Sequence, residues 1–276
     1  MNYSVLMAVY YKEEPANLLL SMNSIYCQTV KTDDFVLVCD GPLTSELDDV
    51  ISVMEERFKG VLHVLRLEHN CGLGNALNEG IKHCKNEIIA RMDSDDISYP
   101  DRCEKELKVL EDNSIDIVSA GVVEFNGHKE NVDTVRIPPE THQEILAFAK
   151  KRNPFNHPCV MYRKSAVQAA GGYQDFYLLE DYYLWLRMLQ NGSQGYNIQS
   201  PLLWMRAGSN MYKRRSGRKY AASQRRLFKY MKDNNMISRG SYCMSCIIRT
   251  CSSMAPNWLR QGMFKRLLRK KEESAA

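Results

Sequence analysis

Short apolar runs alternate with helix-period stretches along the first hundred residues. Ser4 to Tyr11 is a β-rich apolar run, and Pro15 then opens a helical pattern through Leu18, Leu19, Met22 and Ile25. Phe35 to Cys39 reads as a second buried strand, closed by Asp40-Gly41-Pro42. Ser45 is placed as the N-cap of a helix that runs to about Phe58, with Gly60 as its stop and Val61 to Leu67 as the next strand. A helix from the Gly72-Leu73-Gly74 turn to about Lys85 leads to the run Ile88-Ile89-Ala90-Arg91-Met92. This βαβαβ order predicts a parallel sheet with helices on both faces.

The grammar changes after residue 98. A helix over about Asp101 to Glu111 is followed by a strand near Asp116 to Ala120. Val122 to Phe125 and Asn131 to Ile137 then read as a hairpin turning at Asn126-Gly127. A helix near His142 to Lys150, the constrained loop Asn153-Pro154-Phe155-Asn156-His157-Pro158, a short strand Cys159 to Tyr162 and a Gly171-Gly172-Tyr173 loop complete this mixed half. The expected organisation is a body over 1–204, split into halves at 98/99, and a helical extension over 205–276.

Charge supports that division. From Met205 onward there are 18 Lys/Arg against 3 Asp/Glu, so the net +4 conceals an acidic body near −11 and a basic tail near +15. Such a tail suits an anionic partner. The stretch Trp258 to Lys271 carries Leu259, Met263 and Leu267 on one helical stripe, with Phe264 and Leu268 beside it, among basic residues. That pattern fits a helix lying on an anionic membrane surface or one packed on the body. The nine cysteines, with no leader ahead of them, suggest a reducing cytoplasmic compartment. Cys243-x-x-Cys246 lacks a second pair at zinc spacing, and no 18-residue apolar run exists.

Chemistry gathers at the strand ends. The fourth strand stops at Asp93-Ser94-Asp95-Asp96, three carboxylates within four residues, where an open α/β sheet gathers its ligands. Asp93 and Asp95, two apart, point the same way on an extended chain and can share one hard cation. A solvated turn before the next helix is the plainer reading of the same residues. Asp40 and Asn70, past the second and third strands, have the polarity to meet a base or ribose, and Arg91 to meet a phosphate. Gly72 and Gly74 follow the third strand, and Leu77 stands where a dinucleotide fingerprint requires a third glycine, which argues against a Rossmann dehydrogenase. They allow a tight turn and close approach of a helix N-terminus to a ligand. Further on, Asp181, Leu184, Trp185 and Met188 form one helical stripe. The carboxylate on it caps the helix, acts as a general base, or does both.

Taken in order, Ser4-Val-Leu-Met-Ala-Val-Tyr10, Val38-x-Asp40-Gly41, Asn70-x-Gly72, Ala90-Arg-Met-Asp-x-Asp-Asp96, Pro100-x-Arg102, His157-Pro158, Gly171-Gly-Tyr173 and Glu180-Asp-Tyr-x-Leu-Trp-Leu-Arg187 resemble the family-2 glycosyltransferases of the GT-A fold. The tail, Trp204 to Gly208 and Met211 to Gly217, resembles the branch that builds bacterial exopolysaccharide and O-antigen repeats, including amylovoran-type enzymes. The resemblance implies a Rossmann-like mixed sheet flanked by helices. It implies inverting transfer of a hexose or N-acetylhexosamine from a UDP-sugar to a hydroxyl of a lipid-linked glycan, with Mn²⁺ or Mg²⁺. Asp93 and Asp95 match the metal positions. Val9, Tyr10, Tyr11, Glu13, Asp40, Asn70, Gly72, Arg91 and Ser94 would line the nucleotide-sugar pocket with them. Asp181 matches the catalytic base, and Asp96, His157 and Glu180 fall on the acceptor or sugar side. The expected location is cytoplasmic, at the inner face of the cytoplasmic membrane. Two rivals are transfer to a polyprenyl phosphate and, from another class, nucleic-acid binding through the tail. The tail lacks the membrane spans that often accompany the first and the aromatic-basic motif the second would use.

Overall fold

The computed structural model describes residues 1–127, 132–207 and 217–254. Its centre is a nine-stranded mixed sheet in the order β3-β2-β1-β4-β8-β6-β9-β5, with β7 paired to β6. The strands are β1 Tyr3–Val9, β2 Asp34–Cys39, β3 Leu62–Arg66, β4 Ile88–Asp93, β5 Ile97–Ser98, β6 Ile117–Phe125, β7 Val132–Arg136, β8 Val160–Arg163 and β9 Gly195–Arg206. The helices are α1 Pro15–Tyr26, α2 Ser45–Arg57, α3 Leu73–His83, α4 Arg102–Leu110, α5 His142–Ala149, α6 Lys164–Ala169, α7 Glu180–Gln190, α8 Gly217–Asp233 and α9 Arg239–Met254.

The first four strands are parallel, with β1 between β2 and β4. Chain order therefore reverses between β1 and β4, and such a switch point opens a crevice beyond the carboxyl ends of the strands. The register pairs Ala8 with Asp93 and Val9 with Cys39, which brings the ends of β1, β2 and β4 to one edge. Alternation along β4 divides its side chains. Ile88, Ala90 and Met92 join the core beneath α1, α2 and α4, while Ile89 joins the core shared with α3 and α7. Arg91 and Asp93 thus face the α3/α7 side.

Several expectations meet corrections. β1 ends at Val9, and Tyr10 and Tyr11 lie beyond it as an exposed edge-to-face pair. Thr44, one residue earlier than expected, caps α2, its side chain accepting from Leu47 N at 3.4 Å. β6 is one continuous strand through Phe125, because each of its residues is buried between β8, β9 and β7. The Asn126-Gly127 turn is described only to Gly127, which has φ +73°.

β9 carries the chain back. It runs parallel to β6 and antiparallel to β5, and continues two residues past Trp204 to Arg206. α8 then lays Leu227, Phe228 and Met231 into the same hydrophobic cluster as α7. Ser223 Oγ donates to Tyr177 O at 2.8 Å. Within the helical extension expected over 205–276, α8 and α9 form the described part, whereas Trp258 to Lys271 and Met211 to Ser216 lie outside the described residues. No helix among the described residues is long and apolar enough to cross a membrane. Cys27, Cys39, Cys71, Cys84, Cys103, Cys159, Cys243 and Cys246 are free thiols.

Candidate active site

The end of β4 is a crowded acidic corner. Asp93, Asp95 and Asp96 each present a carboxylate oxygen, and these oxygens lie within 4.8 Å of one another. Burial, then Asp93 and Glu13, pushes the Asp95 carboxyl up to about 7, and burial with Asp95 and Asp93 raises Asp96 well above the carboxylate range. Asp96 Oδ1 accepts Arg206 N at 2.7 Å, while Oδ2 is buried with no hydrogen-bond partner. Like charges held this close in low dielectric need a counter-charge. An all-oxygen donor set with an orphaned buried carboxylate oxygen fits a hard divalent cation.

Two arginines frame this corner. Arg91 is buried on the strand that bears Asp93 and pairs with Asp93 Oδ1 through Nη2. Burial works against its charge, but Asp93 holds its pKa up, and its Nε and Nη1 remain unpartnered. Arg206 Nε donates to Asp95 O at 3.1 Å and Nη1 to Gly127 O at 2.8 Å. Glu13 reaches in from the β1–α1 loop, where Oε2 accepts Ser94 Oγ at 2.7 Å. Ser21 Oγ of α1 donates to Asp93 O at 2.8 Å, fixing the strand end from below.

Asp40 has a second employment. Its two carboxylate oxygens accept Cys71 N at 2.7 Å and Gly72 N at 3.1 Å, and Asn70 Nδ2 donates to its carbonyl at 3.1 Å. The carboxylate expected at the base thus folds the Asn70–Gly72 turn onto β2. Gly72 takes φ +87° as the N-cap of α3, a conformation that costs other residues about 1 kcal/mol or more. At Gly74 a Cβ would meet Tyr173 Cβ at 3.4 Å and Glu180 Cγ at 3.6 Å. The glycine approach expected toward a ligand therefore also brings α3 against the start of α7.

The opposite wall is built from that start. Leu178 has φ +59°, a strained value for a branched residue, and its N–H donates to Glu180 Oε1 at 3.3 Å. Burial raises the Glu180 carboxyl. The N-cap position belongs to Leu179, not Asp181, and makes no side-chain cap. Asp181, half-buried at the outer end of a stripe whose Leu184, Trp185 and Met188 are fully buried, accepts Asn153 Nδ2 on Oδ2 at 2.5 Å. His157 Nε2 lies 2.9 Å from the Tyr173 hydroxyl, its imidazole pushed well below the usual range by burial and then by Arg91. Asn78 grips the Tyr173 backbone from both sides, accepting its N–H at 2.8 Å and donating to its carbonyl at 2.6 Å.

Tyr173 joins the two walls. Burial pushes its phenol up against the pull of Arg91, and both Asp181 and Asp93 add to the rise, so the hydroxyl lies within electrostatic reach of each. The acidic corner and the α7 carboxylate accordingly share one face of the sheet. Asn153, Asn78, Tyr173 and Arg206 are the participants that the sequence reading left without roles. Asn153, Tyr173 and Arg206 stood in stretches already singled out, Arg206 within Trp204 to Gly208, but none had been given a part in the site.

An open α/β sheet with an acidic corner at its switch point and a second carboxylate on the same face has the architecture of the GT-A fold. Residues 4–171 match the model for glycosyl transferase family 2. An amylovoran biosynthesis glycosyltransferase of Erwinia amylovora is 37% identical over 96% of this chain and 98% of its own. An Escherichia coli UDP-Gal:alpha-D-GlcNAc-diphosphoundecaprenol beta-1,3-galactosyltransferase is also 37% identical, over 97% of each chain. The crystal structure of Staphylococcus aureus TarS residues 1–349 with UDP-GlcNAc superposes with a TM-score of 0.66 at 16% identity, covering 96% of this chain and 75% of that one. The chain belongs to glycosyltransferase family 2.

Proposed function

We propose that this protein transfers a hexose or N-acetylhexosamine, with inversion, from a UDP-sugar to a hydroxyl of a lipid-linked glycan in surface-polysaccharide biosynthesis. One observation carries the reading: alternation along β4 turns Asp93 to the side of the sheet covered by α7, whose first turn bears Asp181. The UDP-sugar donor and diphosphoundecaprenol-linked acceptor are those of the Escherichia coli relative.

Asp93 and Asp95 would hold Mn²⁺ or Mg²⁺, with Asp96 beneath them tied to Arg206. Such an ion, when bound, neutralises charge that develops on a departing diphosphate. Arg91 pairs with Asp93 from inside the sheet. Val9, Tyr10, Tyr11, Glu13, Asn70, Gly72 and Ser94 line the nucleotide side, and Asp40 shapes it through the turn it holds. Asp181 takes the proton from the acceptor hydroxyl as that oxygen bonds to the anomeric carbon opposite the diphosphate. A single displacement inverts the centre. His157 and Glu180 border the acceptor side. The protein works at the cytoplasmic face of the membrane that carries its acceptor.

The test is transfer from UDP-Gal, UDP-Glc, UDP-GlcNAc and UDP-GalNAc to an undecaprenyl-diphosphate-linked sugar with Mn²⁺, Mg²⁺ or chelator present. One donor is expected to react, and only with a divalent ion. Reaction undiminished by chelator removes the metal role, and a product with retained anomeric configuration removes the single displacement.

A further inference from the structure

Helix α9 turns an uncharged face to solvent. Met244, Ile247 and Ile248 are 59%, 61% and 55% exposed, and Ser241 and Cys243 are exposed beside them. Their spacing places Met244, Ile247 and Ile248 on one stripe at i, i+3 and i+4. The other side of the helix turns inward, where Tyr242 and Cys246 pack on the core. A monomer has no folding reason to leave three aliphatic side chains together in water.

Charge around that stripe selects what covers it. α9 contains no acidic residue, and Arg239 is exposed at its start. Neighbouring α8 exposes Arg225 and Arg226, while its Lys229 pairs with Asp233. The chain from 205 onward is near +15 while the body before it is near −11. A second copy would bring two strongly basic ends together, which Coulomb repulsion opposes. An anionic lipid surface supplies the opposite charge and an apolar layer, and it repels the acidic body, so the molecule is held by one end.

The same helix adjoins the candidate base. Arg249 Nη2 donates to Lys151 O at 2.5 Å, two residues before Asn153, whose amide holds Asp181. We infer that the Met244/Ile247/Ile248 face of α9 seats in an anionic lipid surface and thereby holds the acceptor-side wall of the cleft at that surface. The inference rests on the lipid-linked acceptor proposed above only for its purpose; the docking itself is read separately.

The experiment floats full-length protein with phosphatidylglycerol/phosphatidylethanolamine vesicles and with phosphatidylcholine vesicles. The wild type is expected to float with the anionic vesicles alone and to be released by salt. The Ile247→Glu/Ile248→Glu double variant should partition at least tenfold less, with an unchanged melting temperature and unchanged UDP-sugar hydrolysis in solution. Ile247→Leu/Ile248→Leu should float like the wild type. Equal flotation of the glutamate variant overturns the inference, because residues beyond α9 then suffice. So does a wild-type dimer in light scattering that the glutamate variant dissolves while vesicles bind neither protein. Failure of the wild type to use any UDP-sugar would count against the catalytic proposal and leave the flotation result standing.

Discussion

The two acidic centres of the cleft are built on opposite principles. At the end of β4, three carboxylates are crowded within 4.8 Å of one another, and burial with mutual repulsion raises Asp95 and Asp96. At the start of α7, Asp181 stands half-buried and is held by the neutral amide of Asn153. A crowded cluster stores unfavourable charge that a cation relieves. On the function proposed above, the β4 wall binds charge and the α7 wall takes a proton.

The largest expected effect separates the walls directly. Asp181→Asn should lower the transfer rate by about 10² to 10⁴, the range of a lost general base, while calorimetry shows UDP bound as before. Turnover near that of the wild type would strip Asp181 of its role. Asp95→Ala should do the reverse, weakening Mn²⁺-dependent UDP binding by at least the roughly 10–100-fold typical of lost outer-shell support. Identical UDP affinity with and without Mn²⁺ in both proteins would erase the contrast.

Asn153→Ala sharpens it. A lost hydrogen bond to a charged group, about 1.5–3 kcal/mol, should lower kcat roughly tenfold or more, leave the donor KM unchanged and move the alkaline or acid limb of the pH–rate profile. A change in donor KM with kcat constant would place Asn153 on the nucleotide wall. The smallest effect concerns His157, whose folded-state pKa is depressed by burial and Arg91. Below about 6.5 the unfolded chain binds a proton that the folded chain refuses, so the stability this neutral ring contributes at neutral pH is lost as pH falls. His157→Gln should remove a slope of at most about 1.4 kcal/mol per pH unit from urea-melt stability between pH 6.5 and 5. Parallel wild-type and variant curves would mean that His157 is not held neutral.

The parallel half was legible because its signals are local. Apolar runs bounded by turn residues mark β1, β2 and β4, and the carboxylates sit where the fourth run stops. Ser45 and Thr44 show the limit of such reasoning, since two adjacent residues offer equivalent hydroxyls and only backbone geometry selects Thr44. Continuous β6 was read as two pieces because its burial depends on three strands distant in sequence. Asp40 illustrates the same limit within the site. Its position past β2 was readable, but the two amides it holds come from residues 71 and 72, which only folding brings near. Asn153 likewise became meaningful only when the 150–156 loop met α7.

The late arrival of Arg206 has a consequence for synthesis. Asp96 Oδ1 and the carbonyl of Asp95 find their partners 110 and 111 residues downstream, beyond residue 171, where the family match ends. A nascent chain that has released β1 to β8 from the ribosome therefore carries Asp93, Asp95 and Asp96 yet lacks the backbone amide and guanidinium that restrain this corner. Only once β9 pairs into the sheet are the β4 carboxylates fully held in place.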